Sequence, residues 1–264
     1  MKANRKLRWI SVLASTAVSW IAVLGCPPWP APLAAAETLR PNIICILADD
    51  LGYGDPSCYG GKILTPSLDA LANSGVRFTD AHSSSSVCTP TRYGLLTGRY
   101  NWRSRLSKGV LGGLSPRLIE PGRMTLASLL KETGYHTACV GKWHLGMDWS
   151  TVPSSQGVSE LSIETREQVF SVDFSQPIAN GPNCVGFDWY FGISASLDMV
   201  PYTYIENDRV VEFPSLDRDF LMMHGRSDGP RTRKGPAAPG FEADAVLPTL
   251  GSKCEQFIAR QASS

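Results

Sequence analysis

Pro41-Asn42-Ile43-Ile44-Cys45-Ile46-Leu47-Ala48-Asp49-Asp50 is the stretch that decides the fold class. Residues 42–48 form a continuous apolar run behind a proline, the composition of a strand buried in a parallel sheet. The run ends at Asp49 and Asp50. Two carboxylates therefore fall at the C-terminal edge of a strand, where open α/β sheets hold their ligands. Neighbouring carboxylates repel one another unless a cation lies between them. An all-oxygen pair suits a hard ion, calcium or magnesium. An isolated Asp-Asp is more often a turn or a helix cap. Here the strand before the pair and the motifs after it favour a metal site.

The segments downstream alternate between helix and strand. Residues 65–75 read as a helix with Thr65 as N-cap, Pro66 in the first turn and Gly75 as its stop. Residues 76–81 read as a second strand. A helix starts at about Cys88, with Leu95 and Leu96 on its buried side. Thr125 caps a helix over 126–132, stopped by Gly134. Residues 135–140 read as a third strand that runs into Gly141-Lys142-Trp143-His144. Residues 203–211 read as a hairpin turning at Asn207-Asp208. Residues 224–240, with Arg226, Arg231, Arg233 and Lys234, read as a solvated surface loop, and 242–260 as the start of a helix. The alternation predicts an α/β fold, a mostly parallel sheet flanked by helices.

The chain has 264 residues, 43% of them hydrophobic, enough for one large or two modest domains. A net charge of +1 leaves no electrostatic footprint for nucleic acid, and no nucleic-acid partner is expected. Residues 1–36 read as a signal peptide. Lys2, Arg5, Lys6 and Arg8 precede an uncharged apolar stretch, and Ala34-Ala35-Ala36 supplies a small-residue cleavage site. The apolar stretch, about 16 residues, falls short of the roughly 20 that a spanning helix needs. The protein is therefore expected to be exported, to a periplasm or the extracellular space. The run Val23-Leu24-Gly25-Cys26 offers lipoprotein anchoring at Cys26 as an alternative. Seven cysteines contain no C-x-x-C pair, which disfavours a zinc ribbon. Cys45 and Cys139 read as buried free thiols; Cys58 and Cys184 sit in loops and could pair.

Cys88-Thr89-Pro90-Thr91-Arg92-Tyr93-Gly94-Leu95-Leu96-Thr97-Gly98-Arg99 carries the pattern C-x-P-x-R followed by L-L-T-G-R. With Asp49-Asp50 upstream and Gly141-Lys142-Trp143-His144-Leu145-Gly146 downstream, it resembles the sulfatase family, of alkaline-phosphatase-like fold. The resemblance implies that Cys88 is oxidised to Cα-formylglycine by a formylglycine-generating enzyme. It implies that Asp49, Asp50 and residue 88 hold one divalent ion, calcium ahead of magnesium. It also implies that Arg92, Lys142 and His144 serve a sulfate-ester substrate, an aryl or a carbohydrate sulfate. The chemistry accounts for the modification. A serine or cysteine nucleophile would be left as a stable sulfate ester. A hydrated aldehyde has two hydroxyls: one attacks sulfur, and the other expels sulfate as the C=O re-forms. A helix N-terminus beneath residue 88 favours the anion. Lys142 offsets negative charge and His144 carries a proton, the i, i+2 spacing putting both on one face of an extended edge.

His82 and His136 are expected to be structural, and His224 has no motif around it. Residues 198–202 resemble a substrate-pocket stretch of arylsulfatase-like members. The resemblance covers residues 41–264, with strong motifs only as far as Leu145. Family members are longer and carry further segments of the type Ser-Pro-His-Thr and Asp-Asn-Gly, so residues 37–264 are expected to be the N-terminal part of a truncated catalytic domain. The alternative to a working hydrolase is a catalytically inactive fragment. A phosphatase or phosphodiesterase of the same superfamily is disfavoured, because those relatives use threonine or serine where C-x-P-x-R stands.

Overall fold

In the computed structural model, which describes residues 40–152, 164–222 and 227–262, the backbone divides into two units, Met1–Leu47 and Ala48–Ser264. The expected signal peptide, Cys26, His224 and Arg226 lie outside the described residues. Residues 40–47 of the first unit are neither helix nor strand. This corrects the expectation that 42–48 forms a buried strand. An apolar run becomes a strand only where a neighbour completes its ladder, and no described residue pairs with it. Cys45 is accordingly exposed.

The second unit is organised around a parallel pair. Strand β1 (Ala138–Lys142) lies beside β2 (Trp189–Ile193) in the register Ala138↔Trp189 through Lys142↔Ile193. Strands β3 (Ile205–Glu206) and β4 (Arg209–Val210) extend the sheet by antiparallel pairing, in the order β1-β2-β3-β4. They form the expected hairpin. Asn207 takes φ 55 at the turn, a conformation that asparagine tolerates. A two-stranded antiparallel ribbon, β5 (Leu216–Arg218) and β6 (Gly235–Ala237), forms a second sheet, with β6 buried and bridged to Tyr202. The class is α/β as expected, but the described sheet is mixed, with one parallel and two antiparallel pairings.

Helix α1 (Pro66–Ser74) follows the proline signal, although Thr65 does not cap it. Its hydroxyl accepts instead from Ser57 N at 3.0 Å. Residues 76–81 form no strand. Helix α2 (Cys88–Thr97) ends at Gly98, whose φ of 65 closes the last turn onto Gly94 O. Its inward stripe is buried Thr89 and Tyr93 with half-buried Leu96, spaced i, i+4, i+7. Leu95 falls outside that stripe and is exposed, against expectation. Helix α3 (Leu126–Glu132) is capped by Thr125 as expected, and Ser128 completes a capping box with it. A single turn, α4 (Arg166–Val169), precedes β2. Helix α5 (Val246–Ala262) packs its Phe257 flat on Trp189 of β2, ring centres 5.3 Å apart.

Two clusters make the core. Tyr93, Leu111, Trp143 and Tyr190 belong to the one beneath α2; Tyr202, Phe220 and Phe241 belong to the other. Cys139 is a free thiol that burial pushes up to about 12. Cys58 and Cys184 are unpaired. No helix among the described residues is long and apolar enough to cross a membrane.

Candidate active site

Three segments converge at the start of α2. A helix leaves its first N–H groups without intrahelical partners, and α2 has no side-chain cap at Val87. The positive end of the helix therefore opens at Cys88. Asp49, Asp50 and Cys88 bring one ligand atom each to within 4.8 Å of one another. Asp50 holds φ 58, an uncommon backbone for a residue other than glycine.

The β1·β2 ladder delivers the remaining groups. Its hydrogen bonds continue past the end of β1, from Trp143 N to Ile193 O at 3.0 Å and from His144 N to Ser194 O at 2.9 Å. Lys142 Nζ thus reaches Asp49 Oδ2 at 2.7 Å and Cys88 Sγ at 3.1 Å. Arg92, one turn into α2, donates from Nη1 to Lys142 O at 2.7 Å and places Nη2 3.5 Å from Asp49 Oδ1. Partial burial raises the pKa of the Asp49 carboxyl. The Lys142 hydrogen bond and charge, with those of Arg92, outweigh that and hold it below the usual carboxylate value.

His144 differs from the expected pattern. It takes φ 55, so the extended alternation stops there. While Lys142 reaches Asp49 and Cys88, the His144 ring is buried. Its Nε2 lies 2.7 Å from Leu111 O, which can only accept, so Nε2 carries the proton. Its Nδ1 is buried without a partner. Burial, helped by the charges of Lys142 and Arg92, pushes the ring down to about 4 against the Leu111 hydrogen bond and Asp49. The ring is therefore neutral at pH 7, with its lone pair on Nδ1.

The other expected residues separate from this centre. His82 pairs with Asp80 at 2.6 Å on the surface. His136 lies just before β1 with its ring against Phe257. Arg231, Arg233 and Lys234 of the basic loop face Asp219, Glu164 and Asp217. Val200 and Tyr202 of the 198–202 stretch are core residues. Thr89 and Leu111, which hold His144, escaped the sequence reading. Thr89 stands at the unspecified position of C-x-P-x-R, and Leu111 acts through its backbone.

A Sulfatase family model matches residues 41–218. The chain is 43% identical over 173 residues to N-acetylgalactosamine-6-O-sulfatase of Bacteroides thetaiotaomicron, across 65% of this chain and 30% of that protein. Over 120 residues it is 47% identical to human arylsulfatase A, across 44% of this chain and 24% of that protein. A solved structure described under metabolism of multiple glycosaminoglycans by Bacteroides thetaiotaomicron superposes with a TM-score of 0.66 at 33% identity. That superposition covers 84% of this chain and 48% of the solved one. The matched segments thus span less than half of the full length of each of these proteins.

Proposed function

The chain belongs to the sulfatase family, and from that premise we propose that it serves the hydrolysis of sulfate esters through a formylglycine made from Cys88. The observation that carries the reading is Lys142 Nζ seated between Cys88 Sγ at 3.1 Å and Asp49 Oδ2 at 2.7 Å, at the N-terminus of α2. The Cys88 sulfur here stands in for the oxygens of the hydrated aldehyde. That hydrate supplies an oxygen nucleophile and a second hydroxyl whose deprotonation releases sulfate. Lys142 and the helix end offset the charge on the sulfate group. Arg92 orients Lys142 by bonding its carbonyl and steadies Asp49. Neutral His144 offers Nδ1, unprotonated and without a partner, as a proton-accepting atom.

The donor set fits one hard divalent cation, calcium ahead of magnesium, held by Asp49, Asp50 and residue 88. Such an ion supplies positive charge to polarise the sulfate. The names of the relatives favour a carbohydrate or an aryl sulfate as substrate. Export through residues 1–36 belongs to the same reading, as does maturation by a formylglycine-generating enzyme.

A second reading, that this length of chain is catalytically inactive, is favoured by one observation. Among the described residues, three side chains form the candidate cluster, where calcium takes roughly six to eight oxygens. One experiment addresses both. The chain is made together with a formylglycine-generating enzyme, the peptide spanning Cys88 is weighed, and turnover of aryl sulfates and of 6-sulfated N-acetylgalactosamine is assayed with calcium. Loss of sulfur from residue 88 is expected; an intact thiol sinks the mechanism. Modified protein without turnover selects the second reading.

A further inference from the structure

Thr89 is fully buried at the first turn of α2 and spends its hydroxyl on two backbone groups. Its Oγ1 lies 2.9 Å from His144 O and 3.2 Å from Leu111 N. The roles are forced by chemistry: a carbonyl cannot donate and an amide N–H cannot accept. The single hydroxyl proton therefore goes to His144 O, and an oxygen lone pair takes the Leu111 N–H. Leu111 O in turn accepts from His144 Nε2 at 2.7 Å. The three contacts close a loop from Thr89 through Leu111, through the imidazole and back to the backbone of the same histidine.

The loop bears on both unusual features of His144. The backbone there sits at φ 55, which a residue with a side chain adopts only when its surroundings hold it. Thr89 holds the carbonyl side, as Ser194 O holds the N–H at 2.9 Å. On the ring side, Leu111 O is the group that keeps the proton on Nε2. The peptide carrying that carbonyl is aimed from its other edge, where Gly112 N donates to the buried Ser115 Oγ at 2.8 Å.

We propose that Thr89 is a positioning residue that acts through Leu111 to fix His144 in its Nε2–H tautomer and so keeps Nδ1 as the proton-accepting atom. What Nδ1 then accepts rests on the sulfatase reading above; the tautomer itself does not. Valine at position 89 keeps the branched shape and loses the hydroxyl, whereas serine keeps the hydroxyl.

The test is nitrogen-15 NMR of the histidine rings in the full chain with Cys88 unmodified, so the result is independent of formylglycine and of any sulfate ester. Wild type should show His144 as one tautomer with a slowly exchanging Nε2 proton. Thr89→Val should lower the Nε2–H to Nδ1–H ratio by roughly fivefold, the worth of one ordinary hydrogen bond, and speed exchange of that proton. Thr89→Ser should restore both. A Thr89→Val protein that is folded and keeps the wild-type ratio and exchange overturns the proposal, as does a serine variant that rescues neither. Should the valine variant not fold, the wild-type spectrum decides. A slowly exchanging Thr89 hydroxyl proton close to the Leu111 amide proton is required, and its absence refutes the loop.

Discussion

His144 is held neutral inside the protein, and this couples folding to acid. In the unfolded chain a histidine binds a proton near pH 6.5; in the folded protein burial delays this to about 4. Between those values the unfolded chain binds more protons. The contribution of His144 to stability is therefore full above pH 6.5 and is lost as pH falls toward 4, on the order of 3 kcal/mol in all. His144→Gln keeps a donor for Leu111 O but has no proton to gain. Urea unfolding at pH 7 and pH 4.5 should show the wild type losing more stability than the variant, by up to about 3 kcal/mol. Equal losses would show that the ring is not held neutral by burial. Residue types and spacing made Asp49, Cys88, Arg92 and Lys142 legible, and these four are in contact. The Thr89 loop was not legible, because its partners are backbone groups that every residue possesses.

Among the elements, the parallel pair positions the site, and glycine permits its close approach. Gly192 stands opposite Gly141 in the register. A Cβ at Gly192 would come to 1.8 Å from Gly141 O and 2.9 Å from the Tyr190 hydroxyl. Gly192→Ala should therefore part β1 from β2, at a cost of about 3 kcal/mol or more, and displace Lys142 from Cys88. Gly251, exposed in α5 with nothing within 4 Å of an added Cβ, is the matched control. Gly251→Ala should stabilise by about 0.5–1 kcal/mol through helix propensity. Thermal or urea denaturation of the two variants gives the comparison; destabilisation by Gly251→Ala and none by Gly192→Ala would reverse the assignment. Elements with local signals were legible: the Thr125 cap, the Asn207-Asp208 turn, the Pro66 helix start. Residues 42–48 and 76–81 carry strand composition but form no strand. A ladder depends on a distant partner, which composition does not specify.

At the scale of the whole molecule, the second unit leaves large apolar side chains in water beside its buried core. Leu64 is 85% exposed, Val76 80% and Phe78 68%, all within the segments flanking α1, and Leu247 at the start of α5 is 79% exposed. Exposed apolar area of this kind favours association, because each side chain removed from water contributes roughly 1.5–3 kcal/mol. The net charge of +1 offers little repulsion to oppose it. The isolated chain should therefore self-associate. In sedimentation velocity at neutral pH its mean sedimentation coefficient should rise with protein concentration, and a hydrophobic dye should bind the folded protein. Replacing Val76 and Phe78 together by lysine removes apolar surface and adds charge without touching the core, so association should weaken while the unfolding midpoint in urea stays in place. A concentration-independent monomer that binds no dye would mean that these side chains are covered in solution, and would overturn the arrangement of residues 60–80 described above.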